Sequence, residues 1–163
     1  DILVISPLEY IHILAPDSSF ASQSHNINNA SIVFKLTVGE TSLLFTGDIE
    51  KEGDERLLNF AEYLKTDVLK VAHHGSITGT SNALLKFISP VMTVVSVGEG
   101  HKFSHPSAGV MDRFSRHGIA IHRTDHKGAL WLQMDGTIFG RRTGNYYSRN
   151  IYNVIFLIKR YIG

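Results

Sequence analysis

Three short segments of this 163-residue chain carry side chains suited to chemistry. The first is Thr46-Gly47-Asp48, directly after the apolar run Leu43-Leu44-Phe45. A glycine ahead of an aspartate at a strand end lets the backbone turn sharply. The carboxylate is then presented at the edge of the sheet, where ligands bind in α/β folds. The second is His73-His74-Gly75-Ser76, which follows the apolar stretch 67–72. Two imidazoles at a strand end can place one ring on a metal and the other nearby as a proton donor or substrate contact. A carboxylate and an imidazole suit zinc or manganese. Asp48 and His74 are 26 positions apart, room for one helix and a return strand, so their loops are expected to be neighbours on one edge. The third segment runs from Gly98 to Pro106 and offers His101, Lys102 and His105, groups suited to phosphate. Each has a plainer alternative: a turn or helix cap for Gly47-Asp48, packed histidines for His73 and His74, a surface loop for 98–106.

Other residues at strand boundaries extend the set. Asn29 and Ser31 precede a strand and either hydrogen-bond across loops to hold the site or start that strand. Arg123, followed by Thr124 and Asp125, either binds a phosphate or pairs with Asp125. His126 adjoins that segment and can line the site, whereas His12, His25, His117 and His122 belong to no motif. Gly98-x-Gly100 opens like a dinucleotide loop, but Phe103 stands at the third glycine position, and no P-loop or G-x-S-x-G elbow occurs. Nucleotide binding of the Rossmann type and serine hydrolysis are therefore excluded as readings.

The elements that must hold these loops alternate between strand and helix. Residues 3–5 and 11–14 are short apolar runs, and 15–30 is a polar loop. Residues 31–38 alternate, with Ile32, Phe34, Leu36 and Val38 on one face, as in a half-buried strand. Gly39-Glu40 turns into a strand over 41–46, followed by one helix over 50–64 with acids in its early turns. Ser81 caps a helix to residue 88, 92–97 is a buried strand, and a helix over 107–117 stops at Gly118. Strands over 119–122, 129–134 and 137–139 close the sheet, the last two joined by an Asp135-Gly136 hairpin turn. The class is α/β, with a mixed sheet flanked by helices.

Composition fits a soluble globular chain, with 43% apolar and 19% charged residues and no cysteine. That excludes a disulfide framework and any thiolate metal site. No apolar run approaches the roughly 20 residues of a membrane span, and the first residues lack the basic-then-apolar order of a signal peptide. Residues 136–163 hold five basic residues and no acid, which leaves 1–135 at a net charge of −4. Tyr146, Tyr147, Tyr152 and Tyr161 intersperse those basic groups, a pattern suited to nucleic acid or an anionic membrane surface, or to a solvated end. Within it, 151–158 is apolar except for Asn153 and can form a docking helix or strand.

Taken in order, the segments Asn29-Ala30-Ser31, Leu44-Phe45-Thr46-Gly47-Asp48-Ile49-Glu50, Asp67 to Ser76, His105-Pro106 and Arg123-Thr124-Asp125 with Gly128 closely resemble a known family. It is the C-terminal metallo-β-lactamase-fold domain of the ComEC competence proteins and their free-standing relatives. The likeness covers about residues 28–134. Phosphorylcholine esterases of the same superfamily share the Gly-Asp and His-His-Gly-Ser elements, so the likeness fits a small-phosphodiester substrate as well. The resemblance implies an αββα sandwich with a metal site, zinc or manganese and usually binuclear, at one edge of two sheets. Asp48 then resembles the bridging carboxylate and His74 a terminal ligand. His73 is a further ligand candidate or sits beside the reacting group, so that His73 and Asp48 are the implied catalytic pair. Asn29, Ser31, Ser76, His105, Arg123 and Thr124 are the implied substrate contacts. The implied substrate is DNA, one strand of which is degraded during uptake.

The family's H-x-H-x-D-H ligand cluster lies upstream of these elements, and no such cluster occurs in residues 1–163. The expectation is therefore that residues 1–140 are the C-terminal half of the sandwich and 141–163 a basic, aromatic tail. Alone, such a half is expected to be inactive and to expose an apolar sheet face, which would pair with the missing half or with a second copy. The resemblance places the parent protein in the cell membrane with this part as a soluble domain, or, for a free-standing relative, in the cytoplasm. The rival class is a non-catalytic module that keeps the fold and binds DNA or membrane.

Overall fold

The computed structural model describes residues 1–18, 20, 25–100, 103–134, 136, 139–141 and 152–156. Strands β1 (Ile2–Ser6) and β2 (Glu9–Ala15) form an edge hairpin, and β3 (Val33–Val38) and β4 (Thr41–Phe45) continue the antiparallel run. Helices α1 (Lys51–Leu57) and α2 (Ala61–Leu64) lead to β5 (Val68–Lys70). Helix α3 (Asn82–Ile88) precedes β6 (Met92–Val95), and α4 (Ala108–Arg116) precedes β7 (Ala120–Arg123). A short helix α5 (Thr124–Lys127) then leads to β8 (Leu130–Met134), β9 (Phe139–Arg141) and β10 (Tyr152–Phe156). The mixed sheet expected from the sequence is seven-stranded, in the order β1 to β7, with β4 through β7 parallel. Crossover helices join the parallel strands, as parallel pairing requires.

Period-two alternation assigns each strand residue to a face. Val33, Leu44, Leu69 and Val95 face the helices and pack with Leu57, Leu64, Leu84, Leu85, Ile88, Val110 and Phe114. Val38, Leu43, Val68 and Val94 face the other way and are covered by Leu130, Leu132 and Met134 of β8. Strand β8 lies between β9 and β10 in a second, three-stranded antiparallel sheet. Full burial of each such aliphatic side chain stabilises by about 1.5–3 kcal/mol.

The expected bare sheet face is not found as such, because β8 covers the side away from the helices. Exposed apolar residues collect instead at the edge hairpin, at Ile2, Leu3, Val4, Ile5 and Leu8. Strand β3 is covered on both faces rather than half-buried. Val33 meets the helical core, while Lys35 on the same face donates from Nζ to Lys65 O at 2.6 Å. Ile32 falls before the strand and is exposed. The single helix expected over 50–64 is broken into α1 and α2 by a tight 3-10 turn over Leu58–Phe60. The two later helices start as expected, with Ser81 Oγ accepting from Leu84 N and Ser107 Oγ from Val110 N.

Residues 152–156, read from the sequence as part of a tail, pair with β8 from Val154 opposite Leu132. Arg142, Arg149, Lys159, Arg160, Tyr146, Tyr147 and Tyr161 lie outside the described residues, as do Asp135, His101 and Lys102. Among the described residues no helix is long and apolar enough to cross a membrane.

Candidate functional site

Among the described residues, the four parallel strands deliver four of the sequence motifs to one edge. Their carboxyl ends are Phe45, Lys70, Val95 and Arg123, and the segments holding Asp48, His73-His74, His105 and Thr124-Asp125 follow in turn. The first two loops are tied together through one peptide. Gly47 O accepts from His73 N at 3.1 Å and from Lys70 Nζ at 3.0 Å. Gly47 has φ 54, and Ser31 Oγ accepts from the next amide, Asp48 N, at 3.0 Å.

The structure brings Asp48 and His74 together: Asp48 Oδ2 lies 3.9 Å from His74 Nε2. His74 Nδ1 is 2.7 Å from Ser96 O. A carbonyl oxygen only accepts, so Nδ1 carries a proton, and in the neutral tautomer that this selects, Nε2 presents a lone pair to the carboxylate. Two acceptors make no hydrogen bond with each other, and 3.9 Å is beyond hydrogen-bond distance in any case. That gap is within the span of one cation bonded to each at about 2.0–2.2 Å. The backbone carbonyl behind the ring is the partner that commonly orients a metal-binding histidine. Charge, tautomer and spacing therefore fit part of a divalent-metal site. They fit only part, because no group of three or more metal-binding side chains forms among the described residues.

Lysine 70 completes the local charge pattern. It follows Val68 on the β8-facing side of the sheet, and Nζ lies 3.7 Å from Asp48 Oδ1. Burial lowers its pKa, and the Asp48 carboxylate opposes that shift. Asp48 thus has a fixed cation on one oxygen and the His74 ring on the other.

His73 points elsewhere. Its Nδ1 is 3.6 Å from Glu50 Oε1, and its ring centroid is 5.6 Å from that of His105. His73 and His74 have φ 45 and 55. Such left-handed conformations are costly for non-glycine residues and tend to gather at functional sites. Asn26 Nδ2 and Asn28 Nδ2 donate to Glu50 Oε1 at 2.9 and 2.8 Å. These amide bonds, Asn26 first, hold the Glu50 pKa below its ordinary 4.5 despite the opposing effect of burial. A depressed carboxylate pKa contributes stability above the ordinary value that is lost as pH falls through the folded one. Glu50→Gln is therefore expected to flatten the acid limb of the melting-temperature profile as pH falls below the ordinary value of 4.5. Thermal melts across that range check it; an unchanged acid limb would contradict the assignment.

The remaining expected contacts have structural partners. Asn29 is 2% exposed; its Oδ1 accepts from Glu50 N and Gly53 N, and its Nδ2 donates to Glu52 Oε2. It holds the Asp48-to-Glu50 segment from beneath and does not reach the surface. Ser76 is buried, with Oγ 2.9 Å from Thr78 Oγ1. Thr124 is buried too; its Oγ1 accepts from Val97 N and reaches the carbonyls of Val95 and Val97, which ties β7 to β6. Of the two alternatives for Arg123, the structure shows the pair: Nε and Nη2 donate to the two oxygens of Asp125 at 3.1 and 2.6 Å. Both His105 and Ser31 stand next to the central groups.

Lys70, Glu50 and the Ser96 carbonyl were missed from the sequence. A lone lysine inside the run Val68 to Ala72 was the available signal for the first. The other two carried none.

Comparison with known proteins agrees with this fold. Residues 14–99 match the model of the Metallo-beta-lactamase superfamily. The chain is 35% identical over 130 residues to "ComE operon protein 3" of Bacillus subtilis (strain 168), covering 80% of this chain and 16% of that protein. It is 38% identical over 112 residues to "Competence protein ComA" of Neisseria gonorrhoeae, covering 67% of this chain and 16% of that protein. With "Recombination protein 2" of Haemophilus influenzae the identity is 36% over 112 residues, 65% of this chain and 14% of the other. The chain thus spans about a sixth of the length of these relatives or less.

Proposed function

The chain belongs to the metallo-beta-lactamase superfamily, as a ComEC-like domain, and from that premise we propose that it is part of a metal-dependent phosphodiesterase that cuts DNA during uptake. The observation that carries the reading is the 3.9 Å pairing of Asp48 Oδ2 with His74 Nε2, on a ring whose proton is held by Ser96 O. The name of one relative, "Competence protein ComA", supports the biological setting. Asp48 and His74 would hold a divalent ion, zinc or manganese, and residues outside 1–163 would supply the further donors of a binuclear centre. Such an ion supplies Lewis acidity toward a phosphoryl oxygen and a water of lowered pKa. Lys70 and the Gly47 peptide fix the Asp48 carboxylate, so no reorganisation is needed when substrate arrives. His73 and His105 stand beside the pair, as imidazoles able to contact a phosphate or pass a proton to a leaving oxygen. The parent protein would sit in the cell membrane with this domain in solution beside it.

A second reading, a non-catalytic DNA-binding module, is favoured by one observation: no three-donor group forms among the described residues. Metal removal separates the two. The full-length protein stripped with a chelator should stop degrading single-stranded DNA, and manganese or zinc should restore cleavage, followed on denaturing gels. DNA binding without cleavage under every metal would reject the hydrolase and leave the module.

A further inference from the structure

Four aromatic rings form a chain of neighbours that begins at the Asp48–His74 pair. The centroids of His74 and His73 lie 6.2 Å apart, those of His73 and His105 5.6 Å, and those of His105 and Phe103 6.2 Å. The series starts at the imidazole facing Asp48 and ends on Phe103, a residue that is 62% exposed. A residue this exposed contributes little burial to folding. What it offers is a flat apolar face beside groups suited to phosphate.

The loop that carries Phe103 is seated on the site. Ser107 N donates to Gly75 O at 2.9 Å, and a Cβ on Gly75 would come within 2.6 Å of Pro106 Cβ. Ser104, between Phe103 and His105, has φ 55, so this loop shares the left-handed strain of His73 and His74. Ile77, 54% exposed, lies over Gly109 in the first turn of α4, the helix that this loop feeds. Apolar surface and imidazoles therefore occur together at this end of the sheet.

We propose that Phe103 is a stacking platform for a nucleobase of a single-stranded nucleic acid whose phosphate lies at the Asp48–His74 pair. The proposal rests on the phosphodiesterase reading above and narrows its substrate class. Stacking on an aromatic face tolerates every base, which suits degradation without sequence preference. His73 and His105, between Phe103 and His74, are placed to contact the backbone that links a stacked base to the reacting phosphate. A quaternary ammonium also binds a phenyl face, so a choline ester is the competing occupant.

The test uses the full-length protein and two labelled single strands, one with bases and one abasic, read by fluorescence anisotropy at fixed salt. Phe103→Ala should weaken binding of the base-bearing strand about tenfold, with the loss confined to that strand. Phe103→Leu should behave like alanine, because it keeps apolar bulk without a π face, and Phe103→Trp should restore binding. Equal losses on both strands, or none, would overturn the proposal. So would loss of glycerophosphocholine binding in Phe103→Ala with oligonucleotide binding intact. Cleavage of the abasic strand by the unsubstituted protein reports the phosphodiesterase reading separately. If neither strand is cut, that reading fails, while the anisotropy still decides whether Phe103 stacks on bases.

Discussion

Asp48→Asn in the full-length protein is expected to abolish metal binding and to lower DNA cleavage more than about 100-fold, since even changes to a metal ligand's outer partners typically cost 10–100-fold. The substitution keeps the shape of the side chain and removes the anion. What remains at the gap is a neutral amide facing His74 Nε2, which can donate a hydrogen bond to the ring and no longer contributes a negative ligand. The fold should survive. Asp48 is 42% exposed, and its backbone amide still donates to Ser31 Oγ. The loss of its charge opposite Lys70 is softened by solvent, so a destabilisation of about 1 kcal/mol is the expected scale. Metal content by mass spectrometry, cleavage assays and thermal melts together check this. A variant that retains both metal and turnover would remove Asp48 from the centre.

Much of this site was legible because its strands are short and sharply punctuated. Leu43-Leu44-Phe45 ends at Gly47 and the run 67–72 ends at His73, so each chemical group sits one turn beyond an apolar strand. Parallel pairing of β4 with β5 then makes the two loops neighbours. What stayed hidden depends on the layers above and below the sheet. Lys70 shares a face with Val68 by simple alternation, but its burial beneath Asp48 follows from how β4 and the Gly47 turn close over it. Glu50 read as an acid favouring a helix dipole. Its backbone is extended, with φ −114 and ψ −164, so it stands outside α1 with its carboxylate held by Asn26 and Asn28, beside His73. Those asparagines are more than 20 positions away in sequence, and no local pattern joins them to Glu50. The partners that Asn29 and Arg123 hold follow from distance. Asn29 lies beneath the start of α1, and Asp125 is close enough in sequence to fold back on Arg123. The helix over 50–64 was overextended because Leu57 and Leu64 keep helical spacing across the 3-10 turn that interrupts it.

The expected consequence of Gly47→Ala distinguishes a site built into the backbone from one merely decorated with the right side chains. Gly47 has φ 54, and a Cβ there would lie 2.5 Å from Ser31 Cβ, 3.0 Å from Ser31 Oγ and 3.3 Å from Ile32 O. The left-handed conformation alone costs a non-glycine residue about 1–2 kcal/mol, and relief of the overlap adds about 1–3 kcal/mol. A loss of about 2–5 kcal/mol in urea unfolding is expected from these two sources together. Gly118→Ala supplies the comparison. It has φ 66 with nothing within 4 Å, so it reports the backbone cost without the overlap and should lose about 1–2 kcal/mol. The excess at Gly47 must be relieved by moving Ser31 or the turn itself. Ser31 Oγ holds Asp48 N, while Gly47 O holds His73 N and Lys70 Nζ. Either movement displaces Asp48 relative to His74. Metal affinity, measured by calorimetry under conditions where the folded state still predominates, should therefore fall in Gly47→Ala and stay unchanged in Gly118→Ala. Equal stability losses in the two variants with equal metal affinity would mean that the Gly47 peptide does not set the spacing between the carboxylate and the imidazole.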